Sequence, residues 1–272
     1  MSWNLARHES LDVEDIKAML TDNPSRAAQA ILASAAQGSV EAQALLGQIL
    51  LDGTGIQQDQ PLAVTWFRLA ANQGHAMAHN MLGRCLEKGW GCPPDLAQAA
   101  THYRRAAEQG LDWGLYNLGN LLATGRGIGQ DHLKALACYR DAAQLGHAKS
   151  MNLLGRYLEE QALSQADLEE AHEWYRSSAQ AGDFRGQFSH ASILAEQGHV
   201  EQAVRWLKEA LAGGNLNFLR VARGALLRAT QPAIQTLALP YHQRAAALGD
   251  ESDRIALRLI AAERQAEVIH NT

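Results

Sequence analysis

The sequence predicts an all-α fold, an α-solenoid built from helix–turn–helix repeats of 36 residues. Hydrophobic residues make up 47% of the chain but aromatic residues only 6%, so most of the apolar content is small, as closely packed helices require. The repeat is visible as residue types that recur every 36 positions. The first such series is Gly38, Gly74, Gly110, Gly146 and Gly182.

The first helix of each repeat, termed the A helix, is predicted from a Leu-Gly pair. The glycine lacks a side chain, so a neighbouring helix can approach closely there, at a cost of about 1 kcal/mol relative to alanine. The A helix is predicted to end in a Gly-x-Gly turn that supplies left-handed backbone. The pairs are Leu46-Gly47, Leu82-Gly83, Leu118-Gly119 and Leu154-Gly155, and the turns are Gly53-Thr54-Gly55, Gly89-Trp90-Gly91 and Gly125-Arg126-Gly127.

The second helix, termed the B helix, is predicted to begin at a capping aspartate and to bury a stripe of alanines around one aromatic residue. Pro61 lies in a first turn, where its missing N–H costs little. Core packing is favoured for the aromatic residues over stacking or cofactor binding. The aspartates are Asp59, Asp95, Asp131 and Asp167, the aromatic residues are Phe67, Tyr103, Tyr139 and Tyr175, and the stripe around Phe67 contains Ala63, Ala70 and Ala71.

The repeats are predicted to form one continuous domain over residues 1–272, since no segment has the composition of a linker. The fourth repeat has Gln161 and Leu163 in place of turn glycines, and Pro232 and Pro240 are expected to interrupt the last one. The predicted segments are a degenerate helix pair at 1–37 (Leu11–Gln37), four clear repeats at 38–182, two degenerate repeats at 183–249 (Gly182–Gly214 and Gly214–Gly249), and a C-terminal capping helix at 250–272 (Glu251–Val268).

Composition and charge argue against two classes of partner. The net charge is −5 and no run of lysine and arginine occurs, so binding to nucleic acid is not expected. No stretch approaches the ~20 apolar residues that a membrane span needs, so membrane insertion is not expected either. The three cysteines form no disulfide framework, which suits a reducing compartment, and the expected location is cytoplasmic.

The second repeat combines, in order, Leu82-Gly83, Gly89, Gly91, Asp95, Ala99, Tyr103, Ala106-Ala107 and Gly110. This pattern resembles the Sel1-like repeat, a relative of the tetratricopeptide repeat. The resemblance covers about Gly38 to Gly182 well and the flanks weakly. It implies a right-handed superhelix with a concave face, acting as an adaptor or scaffold in protein complexes, in bacteria often in signalling or envelope processes.

A partner protein or peptide is predicted to bind where the A helices line the concave face. Taking the Leu-Gly pair as pointing inward, we expect exposed side chains three before, six before and one after the glycine. Amides and arginines there can bind a peptide backbone or a carboxylate, and exposed aromatic residues favour interfaces. The alternative is an ordinary solvated helix face. The candidate residues are Asn80, Arg84, Trp113, Tyr116, Asn120, Asn152 and Arg156.

No catalytic motif accompanies the repeats. The sequence contains no Gly-x-Ser-x-Gly, no His-Glu-x-x-His and no phosphate-binding loop, so it predicts a protein that is not an enzyme and needs no cofactor. His75 and His79 have a chelating spacing, but His75 and His147 occupy equivalent positions after repeat glycines, which favours a role at the helix start over a metal site. Cys138 is interpreted as a small buried hydrophobic residue.

Three functions are therefore considered. The favoured one is a non-catalytic adaptor that holds a partner segment on the concave face. The second is an accessory subunit that docks an enzyme or forms a homodimer through the C-terminal repeats, Gly182–Thr272. The least favoured is a hydrolase: the Sel1-like proteins linked to β-lactam hydrolysis are secreted and carry cysteine pairs in most repeats, and this chain is expected to share neither feature.

Overall fold

The computed structural model describes residues 19–270, and this part of the chain contains helices and no strand. None of these helices is long and apolar enough to cross a lipid bilayer. The start of the predicted helix pair at Leu11 lies outside the described residues, but residues 19–22 are helical. The helices that follow are α1 (Pro24–Ala36), α2 (Val40–Asp52), α3 (Gln60–Asn72), α4 (Ala76–Lys88), α5 (Leu96–Glu108), α6 (Asp112–Thr124), α7 (His132–Gln144), α8 (Ala148–Gln161), α9 (Gln165–Gln180), α10 (Phe184–Glu196), α11 (Val200–Gly213), α12 (Leu216–Leu227), α13 (Pro232–Gln235), α14 (Ala238–Leu248) and α15 (Glu251–His270).

The helices alternate as the sequence predicts. The A helices are α2, α4, α6, α8, α10, α12 and α15, and the B helices are α1, α3, α5, α7, α9, α11 and α14. Within a repeat the two helices pack on each other, as α2 does on α3 and α8 on α9. Consecutive helical hairpins of this kind confirm the predicted all-α solenoid class.

The two prolines of the most degenerate repeat have different effects. Pro232 begins the one-turn helix α13, an insertion that separates α12 from α14. Pro240 is the third residue of α14, in the first turn, where a missing N–H removes no hydrogen bond of the helix. The prediction of an interruption is therefore confirmed for Pro232 and wrong for Pro240.

The helices group into two compact units, residues 1–138 and 139–272, with the boundary inside α7. The core of the first unit includes Ile31, Leu46 and Phe67. The core of the second includes Leu219 and Tyr241. That the whole chain is one continuous domain stays a prediction.

The Gly-x-Gly turns combine left-handed backbone with close packing. Gly53, at φ 75°, ends α2, and Gly55 follows at φ 72°. A Cβ added to Gly55 would lie 2.1 Å from the carbonyl oxygen of Pro24, the first residue of α1. A Cβ on Gly91 would lie 2.3 Å from the carbonyl of Gln60, the first residue of α3. The second glycine therefore lets each turn touch the preceding B helix.

Three of the four predicted aspartate caps are confirmed. A carboxylate oxygen of Asp59 accepts a hydrogen bond from the backbone N–H of Leu62, and the same bond recurs in the next two repeats, from Gln98 to Asp95 and from Lys134 to Asp131. For Asp167 the prediction is wrong. The N-cap of α9 is Ser164, and Asp167 is the third helical residue of a capping box.

The Leu-Gly glycines interlock with the aromatic residues of the B helices. A Cβ on Gly47 would lie 2.7 Å from the ring of Phe67, and a Cβ on Gly83 would lie 2.8 Å from the ring of Tyr103. Both rings are almost fully buried. The predicted close approach at these glycines is thus confirmed, and the aromatic ring is the group that occupies the space.

The tyrosines of the B helices add a hydrogen bond to this contact. The hydroxyl of Tyr103 donates to Glu87 at 2.8 Å, and that of Tyr175 donates to Glu159 at 2.6 Å. Phe67 has no hydroxyl, and the equivalent A-helix position is the buried Leu51. Burial opposes ionisation of Glu87, but hydrogen bonds from Lys88 and Tyr103 outweigh it and hold its pKa below the usual value.

Replacing Gly47 with alanine is expected to destabilise the protein by about 1–3 kcal/mol, because the new methyl group overlaps a buried ring that cannot move away. The matched control is Gly224→Ala in the A helix α12, where a Cβ meets only the end of Arg228 at 3.6 Å. That change is expected to stabilise by about 0.5–1 kcal/mol through helix propensity. Denaturant unfolding measures both. Equal effects of the same sign would contradict the interlock.

Candidate protein-interaction site

Two of the seven predicted binding residues are buried between A helices. Asn80 is only 2% exposed, and its Oδ1 accepts a hydrogen bond from Nδ2 of Asn117 at 2.8 Å. Asn152 is 3% exposed and accepts a hydrogen bond from the hydroxyl of Ser189 at 3.2 Å. In both cases the partner lies on the next A helix. The prediction that Asn80 and Asn152 face a peptide is therefore wrong.

The register of the A helix explains this error. The glycine of the Leu-Gly pair faces the B helix of its own repeat, and the position three residues earlier faces the A helix of the following repeat. An amide buried there needs a partner, and the next A helix supplies one. These asparagines therefore join one repeat to the next and are unavailable to a ligand.

Arg84 remains accessible and lines a groove between two A helices. Its guanidinium carbon lies 5.3 Å from the centre of the Trp90 ring, a cation–π contact. The groove has a volume of about 290 Å³. The residues that line it come from α2, α4, the turns beside them and the first residue of α3: Gln48, Leu51, Asp52, Gln58, Gln60, Met81, Arg84 and Trp90.

The two charged side chains of this groove differ in whether they already have a polar side chain as a partner. Nε2 of Gln48 donates to the carboxylate of Asp52 at 2.5 Å. No carboxylate among residues 19–270 forms an ion pair with Arg84, whose other close contact is to the sulfur of Met81 at 3.6 Å. The guanidinium of Arg84 can therefore bind an incoming carboxylate or carbonyl without breaking an existing ion pair.

The next A helix carries three further predicted residues. Asn120 on α6 occupies the same repeat position as Gln48 and Arg84, so the three form a row across α2, α4 and α6. Trp113 and Tyr116 pack edge to face, with ring centres 6.1 Å apart. Trp113 is 38% exposed. The row and the aromatic pair belong to the same compact unit, residues 1–138.

Arg156, the seventh predicted residue, lies in the other unit, residues 139–272. It is exposed, and its guanidinium is 3.6 Å from Glu160 on the same helix. An exposed pair of this kind contributes little to stability. A binding role for Arg156 stays a prediction.

The histidines singled out in the sequence have structural roles. Nδ1 of His75 accepts the backbone N–H of Ala78, and Nδ1 of His147 accepts that of Ser150, which confirms a role at the helix start. His79 contacts His102 on α5, with the two Nδ1 atoms 3.0 Å apart. Within residues 19–270 no group of three metal-ligating side chains is found.

Burial shifts the pKa values of His102 and of the Cys85 thiol. Burial, the neighbouring His79 and the cation of Arg105 lower the pKa of His102 to about 4. Burial also raises the pKa of the Cys85 thiol to about 12. The thiol of Cys85 is therefore not a thiolate nucleophile at neutral pH.

Sequence reasoning missed several residues of the groove. The sequence places Trp90 only in a structural turn and does not single out Asp52 or Gln60. A signal for Trp90 exists, because an exposed loop of glycines rarely needs a large aromatic residue between them. Asp52 and Gln60 carry no such signal, since their proximity to Arg84 depends on how α2 and α4 pack.

The fold defines a class of protein, the helical-repeat proteins built from stacked helix pairs. The family model of the Sel1 repeat matches more than half of the chain, at residues 40–75, 76–111, 114–147, 148–183, 200–215 and 235–250. The chain therefore belongs to the Sel1 repeat family, as the sequence predicts. No curated protein matches the chain in sequence.

Solved structures show the same fold. A Sel1 repeat protein from Oxalobacter formigenes is 24% identical, covers 90% of this chain and 100% of its own, and has a TM-score of 0.69. The protective antigen c5321 of uropathogenic Escherichia coli, described as displaying an SLR fold, is 24% identical over 89% of this chain and 62% of its own, with a TM-score of 0.53. The immunity protein Pa5087 from Pseudomonas aeruginosa is 15% identical over 78% and 82%, with a TM-score of 0.52.

Acidification is expected to destabilise the first unit through His102. An unfolded histidine binds a proton below about pH 6.5, whereas folded His102 does so only near pH 4. Between these values the unfolded state holds the extra proton, so stability falls as the pH is lowered. In thermal unfolding from pH 7 to pH 4, His102→Gln should lose less stability than the wild type. The control His132→Gln, at an exposed position, should follow the wild type; identical pH profiles for all three proteins would contradict this assignment.

Proposed function

We propose that this Sel1 repeat protein is a non-catalytic adaptor that binds an extended segment of a partner protein along the A helices of residues 1–138, the face predicted to be concave. The observation that carries the proposal is Arg84, a cation held over Trp90 beside an open groove and paired with no described carboxylate. Arg84 caps no helix, and its contacts within the repeat are the ring of Trp90 and the sulfur of Met81.

The spacing of the row supports an extended ligand. Packed helices lie about 8–10 Å apart. An extended chain advances about 3.3 Å per residue, so the row Gln48, Arg84 and Asn120 can contact roughly every third residue of a bound segment. Amides can pair with the segment's backbone, and Arg84 can pair with an acidic side chain.

The chemistry of the groove favours binding over catalysis. Its lining contains amides, an arginine, a tryptophan and one carboxylate, but no hydroxyl or thiol nucleophile. The carboxylate of Asp52 is already hydrogen-bonded to Gln48. A half-exposed aromatic ring beside a cation is instead typical of residues that dominate binding energy at interfaces.

Reversing the charge of Arg84 is expected to weaken partner binding at least tenfold, because a lost ion pair is replaced by repulsion. The protein and its Arg84→Glu variant are immobilised and exposed to extract from the source organism. Proteins recovered specifically by the wild type are identified by mass spectrometry. Each candidate is then purified and titrated calorimetrically against both proteins.

The matched control is Arg104→Glu on the B helix α5, which makes the same charge change at an exposed position outside the groove. It should bind the partner as tightly as the wild type. Equal affinity of the wild type and Arg84→Glu for every recovered partner would exclude the groove. An equal loss in both variants would show that only net charge matters.

A further inference from the structure

One position of the A helix contacts the next A helix in three of the earlier repeats, through Asn80, Asn152 and Arg220. This stacking position lies three residues before the glycine of the Leu-Gly pair. It therefore also lies six residues after the glycine of the Gly38, Gly74 and Gly110 series. Its side chain is 8% exposed at Ala44, 2% at Asn80 and 3% at Asn152. In α12 the equivalent residue is Arg220, which donates to Asp253 of α15 at 2.6 Å. The position is therefore a contact surface for a following A helix.

The last A helix, α15, presents the same position to solvent. Counting six residues from Gly249 gives Ile255, which is 46% exposed. Leu259, one turn further on the same side, is 61% exposed, and Ala262 continues the stripe. The opposite side of α15 is well packed, with Asp253 fully buried and Ile260 at 4% exposure. The stripe is thus the stacking face of a repeat array, with no described helix on it.

We propose that this stripe pairs with the same stripe of a second copy of the chain, in an antiparallel, two-fold contact between the α15 helices. A terminal repeat that stands alone needs a polar outer face to stay soluble. Here the outer face carries isoleucine and leucine at the positions that stack in the other repeats. A second α15 supplies the missing helix neighbour in a self-complementary way.

The charges beside the stripe favour a second copy. Glu251 and Arg258 lie seven residues apart on one edge of the helix and now form an ion pair within it, at 2.7 Å. Both side chains are about 60% exposed. In an antiparallel pair with its axis near Ile255, the same edge of each helix meets, so Glu251 of each copy approaches Arg258 of the other. The two internal ion pairs of the two chains are thereby exchanged for two between the chains, so the contact costs no ion pair.

The contact is expected to be reversible. A single helix pair buries less than the roughly 800 Å² per partner of a standard stable interface. Light scattering coupled to size exclusion, run from about 1 to 100 µM, should therefore show a mass that rises towards twice the 29.6 kDa of the chain. A mass of one chain throughout this range would overturn the proposal.

Two variants test the surface itself. Ile255→Glu/Leu259→Glu should remain a monomer over the whole range while keeping the helical circular dichroism and melting temperature of the dilute wild type. Leu133→Glu is the control, because Leu133 is 78% exposed and lies on α7, a different helix from the stripe. It should associate as the wild type does. Association of the double variant like the wild type would also overturn the proposal.

A cysteine at Ile255 tests the two-fold geometry. Because the proposed axis passes near this residue, Ile255→Cys should form a covalent dimer on mild oxidation, and Leu133→Cys should not. Cross-linking of both variants to the same extent would indicate random collision and contradict the antiparallel arrangement. Association without cross-linking at Ile255→Cys would contradict it as well.

Discussion

The structure depends on the contact between an A-helix glycine and a B-helix aromatic ring. At Gly47 and Gly83 there is no room for even one carbon atom beside the rings of Phe67 and Tyr103. This contact sets the distance between the two helices of a repeat. It buries Phe67 and Tyr103 almost completely and leaves the alanines around them as the surface on which the helices pack.

Packing between repeats uses a second set of residues. The second glycine of each Gly-x-Gly turn lies against the first residue of the preceding B helix, and polar pairs such as the buried Asn80 with Asn117 join successive A helices. These polar contacts are satisfied on both sides, so they specify the register between repeats at little cost. A recurring residue and a variable residue can therefore both be structural, and sequence variation by itself does not mark a binding residue.

Some residues take part neither in the glycine–aromatic contact within a repeat nor in the contacts between repeats, and the proposed functions rest on these residues. In the first unit they are centred on Arg84 and Trp90, whose cation–π contact holds the arginine at the edge of an open groove. In the second unit the exposed stripe of α15 carries Ile255 and Leu259 on the side where other A helices contact the next repeat. One feature is polar and suited to an extended segment, and the other is apolar and suited to another helix.

The sequence by itself determined the family, the order of the helices and the turns, because each depends on residues close in the chain that recur every 36 positions. It also predicted the helix-starting roles of His75 and His147 correctly. Only the tertiary structure decided which side of an A helix is exposed. Asn80 and Arg84 are four residues apart on one helix, yet one is buried by the next A helix and the other lines a groove. That difference depends on how neighbouring repeats stack, which no local spacing encodes.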